Sequence, residues 1–103
     1  MVRIVKISKE EAKRRLGDVP EDKRFWCNDG KLIKNLKELG KALNDMSDET
    51  FHYHSGVERK DFSKWIRDVV GDDKLAKDIS EARSRMQASQ AVAQRISFLE
   101  RKI

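Results

Sequence analysis

Helix start signals recur along this chain, and they constrain its fold more than any other feature of the sequence. Ser8 with Glu11, and Asn35 with Glu38, have the spacing of a capping box, in which each side chain can accept a hydrogen bond from a backbone N–H group near the other. Ser47 precedes two acidic residues, which are favourable in the first turn of a helix. The repetition of these signals predicts a series of short helices.

Glycines mark the ends of the same segments. Gly17, Gly56 and Gly71 each follow a predicted helix, at the position where glycine commonly ends one. Gly40 instead falls inside the helix that Asn35 begins. There it costs about 1 kcal/mol relative to alanine, or it permits a neighbouring element to approach closely.

Aromatic residues are concentrated in the middle of the chain, between 51 and 66. Asp61 is predicted to cap a helix there, and the apolar residues that follow have helical spacing. They are Phe62, Trp65, Ile66 and Val69. Each tryptophan or phenylalanine buries on the order of 150–250 Å², so we expect this stretch to hold the domain together. The predicted structural core is Phe51, His54, Phe62, Trp65, Ile66 and Leu75.

Two short segments have the composition of β-strands. Residues 2–7 (VRIVKI) are rich in β-branched residues, and residues 23–27 (KRFWC) are rich in aromatic ones. Phe25 and Trp26 would point to opposite faces of a strand, so at least one of them belongs to the core. The following NDG, residues 28–30, predicts a turn.

The last segment, 74–103, contains neither glycine nor proline and is predicted to be one long helix, capped by Asp72 or Asp73. Such a helix would be about 45 Å long, which exceeds the width of a small domain. Its first half has heptad spacing, and its second half is too sparse in apolar residues for a strong coiled coil. We therefore expect a compact domain over 1–80, with an N-terminal strand and helix, and a projecting basic helix over 81–103.

These elements predict a mainly α fold: a small helical domain with a minor two-stranded β element and a long C-terminal helix. Charged residues make up 40% of the chain and hydrophobic residues 38%, so the core must be small. A surface so rich in lysine and glutamate is also typical of thermophile proteins.

The positive charge lies at the two ends of the chain. Residues 1–17 carry a net charge of +4 and residues 81–103 carry +3, whereas residues 18–80 carry −2. An acidic partner such as RNA or DNA would meet these ends first. The candidate partner or nucleic-acid contacts are Lys13, Arg14, Arg15, Arg83, Arg85, Arg95, Arg101 and Lys102.

Both histidines and the single cysteine could form a zinc site. Cys27, His52 and His54 are acceptable ligands, but a structural zinc usually needs a fourth, such as Asp29 or Asp61. The favoured interpretation is a buried, hydrogen-bonded His54, an exposed His52 and a small core residue at Cys27. We therefore predict no metal and no cofactor.

An acid–base pair of His54 and Asp61 is the other catalytic hypothesis, since a carboxylate would orient the ring. The sequence has no nucleophile elbow, phosphate loop or dinucleotide fingerprint. A core this small also leaves little volume for a substrate pocket. We expect instead that Asp61 caps its helix, that His54 packs on Trp65, and that the chain has no catalytic residue.

Residues 25–78 resemble a family of small uncharacterised prokaryotic proteins. The blocks that carry the resemblance are "sDetFxYH" at 47–54 and "NDFaxWIxdvxGDxxLA" at 60–76. The residues in register in the second block are Asp61, Phe62, Trp65, Ile66, Gly71, Asp72, Leu75 and Ala76. The chain has Lys60 in place of the family's asparagine, and Ser55 and Gly56 where an apolar residue or an insertion is common. The resemblance implies a shared fold unit and no activity.

The sequence thus favours a non-enzymatic interaction or adaptor module that binds a protein partner or itself through the C-terminal helix. The alternative is an accessory nucleoprotein subunit that grips RNA or DNA with its basic ends, and a metal-dependent or acid–base enzyme is a distant third. No apolar run approaches the roughly 20 residues of a membrane span, and residues 1–13 lack the apolar core of a secretory signal. We expect a cytoplasmic protein without a membrane partner.

Overall fold

The computed structural model describes residues 6–56 and 59–103. Its helices are α1 (Lys9–Leu16), α2 (Leu36–Asp45), α3 (Asp48–Ser55), α4 (Asp61–Trp65), α5 (Asp73–Glu81) and α6 (Arg85–Glu100), and its strands are β1 (Phe25–Trp26) and β2 (Leu32–Ile33). A 3-10 turn, Glu21–Lys23, precedes β1, and a π-helical turn, Ile66–Val70, continues α4. The predicted fold class is confirmed: the chain is mainly α, with one two-stranded sheet and a long C-terminal helix.

The helices begin where capping side chains occur in the sequence. Ser8, Asn35, Ser47 and Asp72 each accept a hydrogen bond from the backbone N–H group three residues later, at 2.8–3.1 Å. These four predicted starts are confirmed. The reciprocal half of the capping box differs, because the Glu38 carboxylate accepts from the N–H of Lys34 at 3.0 Å rather than from that of Asn35.

The cap predicted at Asp61 is wrong. Lys60 occupies the N-cap position of α4 and makes no side-chain capping bond, and Asp61 is the first helical residue. Its carboxylate is instead held by the ring of His54 and by the guanidinium group of Arg59. Side-chain contacts with the end of α3 and with Arg59 therefore replace the backbone cap that the sequence suggested.

The two-stranded sheet is a hairpin. Phe25 pairs with Ile33 and Trp26 pairs with Leu32, in antiparallel register. The turn between them contains Gly30 at φ +92°, the backbone conformation that the NDG sequence predicted. The partner of β1 is thus the segment after that turn. The strand predicted over 2–7 falls on residues 2–5, which lie outside the described part of the chain, and on Lys6 and Ile7, which are not in a strand.

Aromatic rings from β1, α3 and α4 form the centre of the core. The Phe25 and Phe62 rings stack with their centroids 5.0 Å apart, and the Phe51 ring stacks on Phe62 at 6.1 Å. The Trp65 ring packs edge-on against Phe25, and its Nε1–H donates to the carbonyl oxygen of Lys23 at 2.7 Å. All of the residues predicted as structural core are buried: Phe51, His54, Phe62, Trp65, Ile66 and Leu75.

A π-helical turn shifts the register of the buried stripe beyond α4. Val70 is buried and Val69 is only partly buried, the reverse of what regular helical spacing predicts. The backbone N–H of Gly71 donates to the carbonyl of Ile66 at 2.7 Å, five residues earlier. Gly71 then leaves the helix at φ +80°, as its predicted role as a helix terminator requires.

The predicted helix over 74–103 is divided in two. Ala82 adopts an extended conformation, with φ −66° and ψ 133°, and Ser84 caps α6 by accepting from the N–H of Gln87. The break lets the chain turn, and α6 packs along α2 and against α1 and α5. The described residues extend 39 Å along their longest axis, less than the 45 Å of an unbroken helix.

The projecting helix predicted for 81–103 is therefore wrong. Ala88, Val92 and Leu99 of α6 are fully buried. A Cβ atom added to Gly40 would lie 3.3 Å from Cγ1 of Val92, so this glycine lets α2 and α6 approach closely, one of the two roles foreseen for it. The C-terminal helix is an integral part of the domain, and only its outer face is open to other molecules.

Candidate functional site

The outer face of α6 carries a regular row of exposed polar side chains. Its members are Gln87, Gln90, Gln94, Ser97 and Arg101, all of which are exposed. Their spacing alternates between three and four residues, which keeps them on one side of the helix. Residue 94 is two positions beyond the buried residue 92, a rotation of about 200°. This row, the glutamine stripe, therefore lies opposite the side that packs on the domain.

The glutamine stripe is unusual in this chain because it is uncharged over most of its length. Residues 86–94 include no charged side chain, although 40% of the chain is charged. Met86 is 52% exposed and adds an apolar side chain to the same side of the helix. Removing water from uncharged amides and an exposed methionine costs less free energy than removing it from the charged surface elsewhere.

A groove runs beside the glutamine stripe, between α5 and α6. Its volume is about 450 Å³, and it is lined by Asp78, Glu81, Gln87, Gln90, Ala91 and Gln94. The acidic side chains lie at the end of α5 and so border the N-terminal end of the stripe. Arg101 lies at the opposite end. The surface thus has an acidic end, an uncharged middle and a basic end.

The structure divides the predicted partner contacts into two groups. Five are exposed: Lys13, Arg14, Arg83, Arg101 and Lys102. The other three are partly buried and make ion pairs within the chain: Arg15, Arg85 and Arg95. The second group stabilises the fold, and sequence reasoning did not separate it from the first.

Asp72 is the centre of the largest of these ionic contacts. Its carboxylate is fully buried, and it accepts from Nε of Arg95 at 2.9 Å and from Nη1 of Arg15 at 3.1 Å. Burial alone would raise the pKa of Asp72, but hydrogen bonds from Arg95, the N–H of Leu75 and Arg15 outweigh burial and lower that pKa below its ordinary value. One carboxylate thereby joins α1, α5 and α6.

Glu11 extends this network on α1. It accepts hydrogen bonds from Nε of Arg14 at 2.9 Å and from Nε of Arg15 at 3.0 Å. The bonds from Arg14 and then Arg15 lower the pKa of Glu11 to about 2. The Glu11 carboxylate therefore binds these arginines rather than completing the capping box with Ser8.

Arg85 ties the start of α6 to the end of α2. Its Nη1 donates to the carbonyl oxygens of Leu43 and Asn44, both at 2.9 Å, and its Nε contacts the Asp48 carboxylate at 3.0 Å. The carbonyls in the last turn of a helix lack partners within that helix and carry partial negative charge, which a guanidinium group satisfies. Arg85 is thus a C-terminal cap contributed from another helix.

Helix α1, from the N-terminal basic segment, packs against α6, from the C-terminal one. A groove of about 380 Å³ beside this contact is lined in part by Arg15, Lys74, Arg95 and Phe98. The Phe98 ring lies between cations, with Cζ of Arg95 at 4.8 Å and Nζ of Lys102 at 5.0 Å from its centroid. Asp73 also lines the groove, so the charge there is mixed.

His54 is held at both ring nitrogens. Its Nδ1 lies 2.9 Å from Oδ2 of Asp61, and its Nε2 accepts from the backbone N–H of Asn28 at 2.8 Å. These bonds assign the proton to Nδ1, so neither nitrogen is left for a substrate or a metal ion. The ring packs against Phe25, Tyr53 and Phe62 rather than on Trp65, contrary to the prediction.

The zinc hypothesis gains no support from this arrangement. Across residues 6–56 and 59–103, no group of three or more His, Cys, Asp or Glu side chains is placed to hold a metal ion. Cys27 is buried, as predicted, and burial raises the pKa of its thiol. His54 is a buried, hydrogen-bonded residue of the core, as predicted.

Sequence reasoning missed an exposed apolar pair on the hairpin. Trp26 is 74% exposed and Leu32, directly opposite it on β2, is 40% exposed. Strand alternation predicted that at least one of Phe25 and Trp26 belongs to the core, and the structure shows that Phe25 is the buried one. The exposure of Leu32 could have been predicted as well, because a hairpin turn at NDG places Leu32 opposite Trp26 on the same face.

Within the described ranges, none of the helices is both long and apolar enough to cross a membrane. No family model matches this sequence, and neither the curated proteins nor the solved structures yield a match. The resemblance at 25–78 stays a prediction.

Proposed function

We propose that this protein is a non-enzymatic interaction module that binds a protein partner through the outer face of α6. The observation that carries the proposal is the glutamine stripe, an exposed and largely uncharged helix face on a heavily charged chain. Uncharged amides both donate and accept hydrogen bonds, and charged residues are depleted at the centre of protein interfaces. The engagement of both nitrogens of His54 supports the non-enzymatic part of the proposal.

The packing of α6 also supports an interface at this position. One side of the helix is fixed on α2 by Ala88, Val92 and Leu99, so its outer side chains are held on a rigid element. Because α6 is already ordered, docking on it would cost this chain little backbone conformational entropy. We place the module in the cytoplasm, since the sequence has a single cysteine and the resemblance is to small prokaryotic proteins.

Capture from a native lysate tests this proposal. The bait variant Gln90→Glu with Gln94→Glu places two charges in the middle of the glutamine stripe, and we expect it to lose a partner that the wild-type chain retains. The matched control is Lys64→Gln with Lys77→Gln, which changes net charge equally on exposed residues that line a separate groove. Equal capture by all three baits would refute the proposed surface.

A second candidate function is nucleic-acid binding through the basic ends. The observation that favours it is the contact between α1, which carries the exposed Lys13 and Arg14, and α6, which the exposed Lys102 follows. We expect Lys13→Gln and Lys102→Gln each to weaken binding to a single-stranded oligonucleotide and to reduce the salt slope by about one. Binding that does not change with salt would exclude this function.

A further inference from the structure

The charge distribution on the outer face of α6 is self-complementary. Glu81 borders one end of the glutamine stripe and Arg101 occupies the other, with α6 spanning roughly 24 Å between them. Asp78 lies beside Glu81 but is engaged by Lys74 of its own helix at 2.6 Å. The middle of the stripe, Gln90 and Gln94, carries no charge.

We propose that the partner of this surface is a second copy of the chain, docked with its α6 antiparallel about a twofold axis near Gln90 and Gln94. This inference rests on the proposed function and names its partner. In a symmetric dimer the same patch meets itself, so residues near the axis face their own kind. A charged residue there would repel its copy, whereas one glutamine amide donates to and accepts from another.

The ends of the stripe select the antiparallel orientation. Antiparallel docking brings Arg101 of each copy towards Glu81 of the other, so unlike charges meet at both ends. Parallel docking would place Arg101 beside Arg101 and Glu81 beside Glu81. Arg83, which follows Glu81 in the connection to α6, is an exposed cation at the acidic end, so it reduces the attraction that Glu81 exerts on Arg101 of the other copy. Electrostatic complementarity of this kind fixes the register and orientation of an interface.

The groove between α5 and α6 provides room for the contact. It has a volume of about 450 Å³ and is open along Gln87, Gln90 and Gln94. Side chains of the second copy that lie near the twofold axis would enter this groove as the helices approach. An interface confined to about four turns of helix is small, so we expect a dimer that dissociates on dilution.

The decisive experiment uses two oppositely charged variants of the purified chain. One is Gln90→Glu with Gln94→Glu, and the other is Gln90→Lys with Gln94→Lys. Sedimentation at several concentrations should show a wild-type dimer and self-association of each variant weakened roughly 100-fold by like charges near the axis. An equimolar mixture of the two variants should recover a 1:1 dimer. The Lys64→Gln with Lys77→Gln control should sediment as the wild type does.

The orientation is tested separately at the ends. Glu81→Lys alone should weaken the dimer, and adding Arg101→Glu to the same chain should restore it, because both end contacts then have reversed signs. Parallel docking predicts no restoration. That result would overturn the antiparallel arrangement.

The outcomes also separate this inference from the proposed function. A wild-type chain that is monomeric at every concentration, with no complex in the mixture of charged variants, would overturn self-association. In that case selective loss of a lysate partner by the glutamate variant would still support a heterologous protein partner on the same surface. Circular dichroism of each variant confirms that the exposed substitutions leave the fold intact.

Discussion

Removal of the Asp72 carboxylate should destabilise the domain more than any other single change among its ionic contacts. The side chain has no solvent exposure and binds two guanidinium groups, those of Arg15 and Arg95, as well as the N–H of Leu75. Asp72→Ala removes all three contacts. Asp72→Asn keeps an oxygen that can cap α5 and removes only the negative charge.

The magnitude follows from the burial of the partners. Removing one partner of a fully buried ion pair costs about 3–5 kcal/mol, but Arg15 and Arg95 are 17% and 13% exposed, so solvent reduces the penalty. The lost cap adds about 1 kcal/mol. We expect Asp72→Ala to lower the free energy of unfolding by about 3–4 kcal/mol. For Asp72→Asn we expect about 2–3 kcal/mol, since asparagine caps a helix as well as aspartate does.

Urea denaturation followed by circular dichroism measures both losses. A second substitution, Arg95→Met, should recover part of the stability of Asp72→Asn, because it removes a cation that has lost its partner. Lys74→Gln, at an exposed ion pair two residues away, is the control and should change stability by less than about 1 kcal/mol. If both Asp72 variants unfold within about 0.5 kcal/mol of the wild type, the ionic contact among α1, α5 and α6 does not stabilise the fold.

The stability that the Asp72 carboxylate contributes should depend on pH. Because the folded-state pKa is lowered, the contribution of the carboxylate is fully present above the unfolded value, near 3.8, and is lost as pH falls through the folded value. The difference in unfolding free energy between the wild type and Asp72→Asn should therefore be constant near neutral pH and shrink below about pH 4. A difference that persists undiminished in acid would contradict the assignment.

Two further predictions concern single residues of the core and the backbone. Trp65→Ala should lower the free energy of unfolding by about 3–5 kcal/mol, whereas Trp26→Ala should change it little because Trp26 is 74% exposed. Thermal unfolding compares the two variants. Equal losses of stability would mean that Trp65 is not a core residue. Gly71→Ala should lower the free energy of unfolding by about 1–2 kcal/mol because Gly71 has a φ of +80°. Gly56→Ala, at φ −61°, should be tolerated. Comparable unfolding midpoints for the two variants would show that the backbone at Gly71 relaxes.

Much of the candidate surface was not predictable from the sequence, for one physical reason. The sequence predicted helix through these residues and described 81–103 as basic, but whether a residue such as Gln94 is exposed depends on which side of α6 packs on α2. That side is set by Val92 and Ile96 fitting against Gly40, a contact between residues more than fifty positions apart in the sequence. Apolar periodicity within α6 does not reveal it clearly, because alanine occurs on both sides of the helix: Ala88 is buried and Ala93 is exposed.

The arginines show the same limit. Arg14 and Arg15 are adjacent in sequence and have the same chemistry. Arg14 is nevertheless half-exposed, whereas Arg15 is mostly buried and donates to the carboxylate of Asp72. Their composition predicted a basic surface, and only the approach of α5 and α6 decides which of the two is exposed.

The sequence by itself determined the local structure of this protein: the helix starts, the helix ends and the aromatic centre of the core. Caps, glycines and apolar spacing act within a few residues, so they can be read without knowing the rest of the chain. Tertiary structure decided the docking of α6 on α2 and the burial of the Asp72 network. Each of these depends on contacts between segments distant in sequence, whose free energy exists only once the helices have packed.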